Sequence, residues 1–591
     1  MKVSDFTMCE CKVWEAAATG TLVDRRVGDS AIDSPEKGTE WGPERTVRAE
    51  VIVDLLIGNG EAASMAVRGV RLQGAHITGD LNLEASTLRC PLALLDCSFA
   101  SAINLNEATA VSVRLSGSHV PTVCAQQLLT RGDLWLDKGF SVLGEVELTS
   151  AHIGGQLDCT GGHFSNPNGS ALSADGLTVD AGMFCRKGFF ATGEVHLLNA
   201  HIRGQLDCTG GHFSNAGGVV ITADEVTIDG SLLCREGFSA TGEVRLLGAH
   251  ISGVLDCTDG HFSNSGDPAL TADRLTVAGG IFCREGFSAT GEVRLLNAHI
   301  GGQLDCTGGH FSNAGGAAFN ADGLTVDGNL FCREGFSATG EVRLISAHIT
   351  GQLACMGGQF SNPNGSALNL ERATVSGPLI MKQAVLDGIL DLTAAKTSSY
   401  HDNRAAWPQK LGLDGFVYDA IEGASVKERL EWLRRNEKGY SPQIYEQLAA
   451  VYHHAGSDGD ARRVLIEKQR QRTAGGNLGS KVWGFLLDWT VGYGYRTWLA
   501  LVWVAGLLVL GTVLFGFVYP GDLTAANKAT APPFQPFLYT LDLLLPFASL
   551  HQRDGWVAHG AAQWWSVFFI IMGWILATAI VASLTGLVKR D

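Results

Sequence analysis

A 49-residue period governs this chain. Five units begin at Gly144, Gly193, Gly242, Gly291 and Gly340, and each opens with Gly-Glu-Val-(Arg/His/Glu)-Leu. Cys159, Cys208, Cys257, Cys306 and Cys355 recur at that interval, and so do Cys185, Cys234, Cys283 and Cys332. The two series interleave in alternating steps of 26 and 23, so the unit is itself double and each step is one coil. Gly204-Gln205-Leu206-Asp207-Cys208 in one half matches Gly230-Ser231-Leu232-Leu233-Cys234 in the other. A repeat of this kind means stacked supersecondary units that bury one continuous core.

Periodicity within the coil decides which unit it is. Val244 and Leu246, and then Leu255 and Cys257, fall two apart, with Arg245 and Asp256 between. That is strand spacing with one face inward. Breaks such as Ser263-Asn264-Ser265-Gly266 supply turns. The expected fold is mainly β, a right-handed parallel β-solenoid. Weaker coils run from Val70 to Leu392, for example Gly69-Val70-Arg71-Leu72-Gln73-Gly74-Ala75-His76-Ile77. Roughly fourteen coils at ~4.8 Å each would give a rod on the order of 65 Å long.

Composition agrees. Glycine reaches 74 of 591 residues without a three-residue period, and 46% hydrophobic against 18% charged residues excludes a disordered chain. The formal charge of -16 speaks against a nucleic-acid partner. Met1-Lys2-Val3-Ser4-Asp5-Phe6 carries an acid and no apolar run, unlike a secretory leader.

The chain divides into an N-terminal segment (1–45), a helical cap (46–68), the β-solenoid (69–420, with the five double coils at 144–388), a short α-helical linker (421–480) and a membrane domain (481–591). In the cap, Val47, Val51 and Leu55 share a helix face and Gly58 ends it. In the linker, Ser425 caps one helix and Ser441-Pro442 opens the next, whose Tyr445, Leu448, Ala449 and Tyr452 resemble half of a tetratricopeptide repeat. Two uncharged apolar stretches, 498–519 and 565–588, are long enough to form a transmembrane hairpin, with Trp498, Tyr519, Trp564 and Trp565 at their edges. Residues 537–548 are too short to cross and contain Asp542 and Pro546, which makes them re-entrant or interfacial.

Orientation follows from basic residues. Arg462, Arg463, Lys468, Arg470, Arg472, Lys481 and Arg496 precede the first span, and Lys589 and Arg590 follow the second. The connection holds only Lys528 and Arg553. Both termini are therefore expected in the cytoplasm, and the cysteines as reduced thiols.

Candidate chemistry is sparse. His201, Cys208 and His212 have a metal-like spacing, but Cys208 points inward with the apolar set while both histidines point outward, so no metal site is expected. The Cys ladder reads as small apolar filler. One external pattern stands out: His152, Asp175, His201, Asp224, His250, Asp273, His299, Asp322 and His348 are spaced by 23 or 26 throughout. The expectation is a single column of alternating sign, in which acids above and below favour protonated histidine. Asp542 is the candidate intramembrane polar residue. Thr490-Val491-Gly492-Tyr493-Gly494 spells a potassium-filter pentapeptide but precedes the first span. Gly58-Asn59-Gly60 lacks the strand that a dinucleotide loop needs. Cys9-Glu10-Cys11 reads as part of a flexible tail. No catalytic residue, cofactor-binding residue or cofactor is expected.

Arg48-Ala49-Glu50-Val51, the Gly-x-x-Leu-x-Gly-Ala-x-Ile coils, Tyr445-Glu446-Gln447-Leu448, Gly492-Tyr493-Gly494 and Asp542-Leu543-Leu544-Leu545-Pro546 together resemble a bacterial family of pentapeptide-repeat-like solenoids fused to a C-terminal membrane hairpin. That resemblance covers nearly the whole chain and implies a bacterial cell-membrane protein. Family members often carry the label "membrane-associated oxidoreductase", and some pentapeptide-repeat proteins carry ion-channel modules. The residues favour a non-enzymatic, membrane-anchored scaffold whose partners are the bilayer, a cytoplasmic protein and a second copy of the chain in a homo-oligomer. The oxidoreductase that the label implies and an oligomeric pore are the alternatives.

Overall fold

The computed structural model describes residues 3–475, 485, 498–527 and 531–584. The filter-like pentapeptide 490–494 and the basic residues Lys481, Arg496, Lys528, Lys589 and Arg590 lie outside the described residues.

The repeat folds as a parallel β-solenoid of about 15 turns. Each coil carries four short strand segments, and each segment pairs in parallel with its counterparts in the coils before and after. Leu157, Met183, Leu206 and Leu232 follow one another in one such ladder. Val146, Leu172, Val195 and Ile221 do so in another. These positions are buried, as strand alternation requires of the inward set. An aromatic column runs through the core from Phe140 to Phe360, with Phe213, Phe238, Phe262 and Phe287 in its middle and neighbouring rings 5.2–5.6 Å apart there. Cys208 lies over Cys234, because the preceding residues Asp207 and Leu233 are register partners.

Coil length has a local cause. Before the repeat proper, Leu92, Val113 and Leu134 stack at an interval that is constant and shorter than either step of the double coil. In the double coils, one corner runs from His163 to Leu172, while the next coil takes the same corner from Phe190 to Val195, a path four residues shorter. The surplus is an outward bulge, Asn166-Pro167-Asn168-Gly169, closed by Asn166 Nδ2 donating to the Ser170 carbonyl at 2.9 Å. Asn215, Asn264, Asn313 and Asn362 close equivalent bulges. The extra residues thus sit on a corner, and the four-sided frame is kept.

Residues 1–45 belong to the cap and are not a loose tail, contrary to the sequence expectation. Helix α1 (Met8–Ala17) starts with a reciprocal Thr7–Glu10 capping box and buries Cys9. The buried Glu10 carboxylate takes the Arg48 guanidinium through Nε and Nη2, both at 2.7 Å, and accepts the Arg48 backbone N–H at 3.0 Å. Val23–Asp24 pairs with Leu72–Gln73, and Thr46–Arg48 with His76–Thr78, so the first coil's open edge is covered. Helix α2 (Ala49–Ile57) is shorter than the pattern suggests, since Thr46–Arg48 is strand, and it stops at left-handed Gly58.

Beyond the rod, α3 (Val426–Leu433) begins with a Ser425–Glu428 capping box. Helix α4 (Pro442–His454) and helix α5 (Asp458–Ala474) pack together, with Lys468 Nζ 2.6 Å from Glu446 Oε1. Two apolar helices follow, Trp498–Val518 and Gly560–Leu584. The segments 498–518 and 560–578 could each cross a membrane. A half-helix, Pro536–Leu544, is seated between them. Gly511 of the first long helix lies flat against Thr540, and Gly573 of the second against the Leu544 carbonyl, contacts that only a residue without a Cβ permits. The candidate segment 537–548 therefore enters the pair of long helices and does not lie beside them. A two-stranded antiparallel link, Leu523–Ala525 with Trp556–Ala558, joins the connections at one end of the two long helices.

Candidate functional site

The nine-member His/Asp series does not form one column. Every coil that starts at one of these histidines passes through a bulge, so the longer step from His152 lands on Thr178, and the shorter step then reaches His201. The same alternation runs through Thr227, His250, Thr276, His299, Thr325 and His348. The aspartates begin after the bulge, so their steps come in the opposite order. Asp175 stands beside Leu198, Asp224 beside Leu247, Asp273 beside Leu296 and Asp322 beside Ile345. A small phase error separates one imagined column into two real ones.

The aspartate column serves the backbone. Each carboxylate accepts the N–H of the residue beside it, at 3.0 Å for Asp175, Asp224 and Asp322 and 3.2 Å for Asp273. Three of the four are also gripped by arginine: Arg245, Arg294 and Arg343 each place Nη2 2.6 Å from the second oxygen of Asp224, Asp273 and Asp322. These are charge-assisted clamps between successive coils. For Arg343, the hydrogen bond to Asp322 raises the guanidinium further above its ordinary range.

The histidine column has other acids. His152 Nε2 is 3.0 Å from Asp180, His201 Nε2 3.0 Å from Asp229, and His299 Nε2 3.3 Å from Asp327. The hydrogen bond from His152 holds the Asp180 carboxyl below the usual carboxylate range. Ala278 and Ser376 take the matching places near His250 and His348, which leaves no carboxylate there. The signal was present in the sequence, since Asp180, Asp229 and Asp327 all follow their histidines at one constant offset. A second outward histidine column also went unread: His119, His261 and His310 each place Nδ1 2.7 Å from a serine of the next coil, Ser141, Ser288 and Ser337.

Asp542 lines no open path in the protomer. It is 2% exposed, and its carboxylate accepts the N–H groups of Leu550, Gln552 and Arg553 at 2.9, 3.0 and 2.8 Å. It satisfies the returning backbone where the half-helix folds back, as an irregular segment among apolar helices requires.

Every ladder cysteine from Cys159 to Cys355 is buried. Earlier in the rod, burial pushes the Cys97 thiol up to about 12. Among the described residues, no three His, Cys, Asp or Glu side chains converge as a metal site. One corner carries acids in the later coils: Glu236, Asp259, Glu285 and Glu334 are exposed at equivalent positions, with Gly308 between the last two, while exposed Lys138 and Lys187 hold the same place in the earlier coils.

The fold and these ladders define a parallel β-solenoid repeat protein with two C-terminal apolar helices. Comparison with protein-family models, curated proteins and solved structures gives no match.

Proposed function

We propose that the chain is a membrane-tethered scaffold whose rod presents a rigid acidic edge to a basic protein partner in the cytoplasm of a bacterial cell. The observation that carries this reading is the exposed face of the two apolar helices. Val509, Val513 and Phe517 on the first, and Trp564, Ile571 and Trp574 on the second, lie open, while only a narrow stripe packs against the half-helix. So large an apolar surface calls for lipid. The basic residues of α5, Arg462, Arg463, Arg470 and Arg472, against the single described cation Arg553 in the connection, favour a cytoplasmic rod by the positive-inside bias. On the rod, the polar side chains of the aspartate column tie coil to coil, which favours a rigid binding surface over a reactive one.

The test has two readouts. Val509→Arg places a charge in the first span at a cost of about 2.5–3.5 kcal/mol at a helix centre, and the variant should leave the membrane fraction on flotation. Photo-crosslinkers placed at Glu236 and Glu285 in the full chain should yield one discrete basic partner in native membranes. A full chain that floats free of lipid, or crosslinks nothing, overturns the proposal.

A pore is the second reading, favoured by the half-helix between two spans. Asp542 is already committed to three backbone N–H groups within the protomer, so such a pore would rely on other groups for conduction. Ion flux from sealed liposomes containing the purified chain discriminates the two.

A further inference from the structure

The rod's interior holds a column of nucleophiles that the scaffold reading does not use. Cys185, Cys208, Cys234 and Cys257 are consecutive members of the ladder, all buried and free of disulfides. Strand register sets them one above another, since Phe184 pairs with Asp207, Asp207 with Leu233, and Leu233 with Asp256, each one residue before its cysteine. This stretch also borders empty space. An internal cavity of about 30 Å³ is walled by the four thiols, Met183 and otherwise only Leu, Ile, Val, Ala and Phe side chains. That is room for a guest of about one water molecule's size, in a wall that offers water no strong partner.

Geometry and charge select the guest. Because no three candidate ligands converge among the described residues, a tetrahedral site is excluded. Two sulfurs stacked along the rod stand about 4.8 Å apart. That span is close to twice a metal–thiolate bond of about 2.3 Å, which suits an ion held linearly between two of them. The wall supplies no counter-charge, so the bound species must be neutral. Two thiolates balance a divalent ion, whereas a monovalent one would leave a buried negative charge. Thiolate ligands select soft metals.

We propose that adjacent thiols of the Cys185–Cys257 stretch bind a soft divalent cation of the mercuric kind, linearly, between two stacked sulfurs. The step is proton displacement without redox change: one M²⁺ and two thiols give one neutral bis-thiolate and two protons. Uptake therefore strengthens as pH rises.

The test uses the full chain in detergent with Cys11→Ser and Cys124→Ser, which remove the two half-exposed thiols, and mercuric chloride as the probe. Expected are one tight equivalent, a two-sulfur shell by X-ray absorption, about two protons released per ion, and an unchanged far-ultraviolet circular dichroism spectrum. Cys208→Ala with Cys234→Ala removes every adjacent pair within the cavity wall, leaving Cys185 stacked only on Cys159 and Cys257 only on Cys283, both outside that wall, and affinity should fall at least tenfold. Ala223→Val keeps every thiol and narrows the cavity; affinity should fall there too. No uptake by the parent, a shell of three or four ligands, or undiminished uptake in the double variant overturns the site. If the double variant fails to fold, the parent's ligand shell and Ala223→Val decide: two sulfurs with weakened uptake support the site, and any other result overturns it.

Discussion

The Asn215 carbonyl oxygen stands 2.6 Å from where a Cβ on Gly242 would lie. Gly242 also has φ +124°, in the left-handed region. From Gly193 onward, the first residue of the Gly-Glu-Val phrase is thus glycine because the bulge of the preceding coil presses on it. Gly242→Ala should destabilise the rod by about 1–3 kcal/mol, read by chemical denaturation. Gly217→Ala, with φ +76° but open space around it, carries only the backbone strain, about 1 kcal/mol. Equal effects at the two positions would refute the account.

Asp224 holds two donors, the Leu247 N–H and the Arg245 guanidinium. Asp224→Ala strands both and should cost about 1–3 kcal/mol. Arg245→Met should cost less than about 1 kcal/mol, since the Arg245 side chain is 34% exposed and solvent screens the pair. Denaturation midpoints of the two variants check the order.

The cap should loosen in acid. Burial works against ionising Glu10, yet the Arg48 side chain and the Thr7 and Arg48 backbone N–H groups outweigh it and hold the carboxyl below the usual glutamate range. A depressed folded value means that the contribution is complete above the unfolded glutamate pKa, about 4.3, and is lost as pH falls through the folded value. Proteolysis within residues 1–45 should accelerate over that window. Glu10→Gln should show the faster cleavage already at neutral pH and a flatter acid response.

In the helical unit, Asp542→Ala leaves the Leu550, Gln552 and Arg553 N–H groups without their acceptor. The cost is about 1–3 kcal/mol for each donor that water cannot reach. Asp542→Asn keeps one carbonyl oxygen and should fall between alanine and wild type. Thermal unfolding in detergent, followed by the fluorescence of Trp556, gives the ranking.

The stacking of coils was legible because inward positions such as Leu206, Cys208 and Val244 obey a two-residue alternation that survives any loop length. The phase of the outward columns was not. His152 lies before the bulge and Asp175 after it, so equal arithmetic spacing conceals opposite steps, and only the location of the surplus residues separates them. The helix hairpin was legible from uncharged length. The half-helix's depth was not, because Gly511 and Gly573 reveal it only through what they touch. Asp542 was recognisable as an unusual acid, but its three donors come from a returning loop whose path no periodicity encodes.

The bulge also fixes how this rod can change length. Each double unit brings both an Asn-closed bulge and the glycine that tolerates one, so units can be lost or duplicated whole with every ladder still in phase. Removing a single coil would instead set a bulge against a coil with no such glycine. Lengths of the repeat region are thereby quantised in pairs of turns, and its ancestry should read as duplications of double coils.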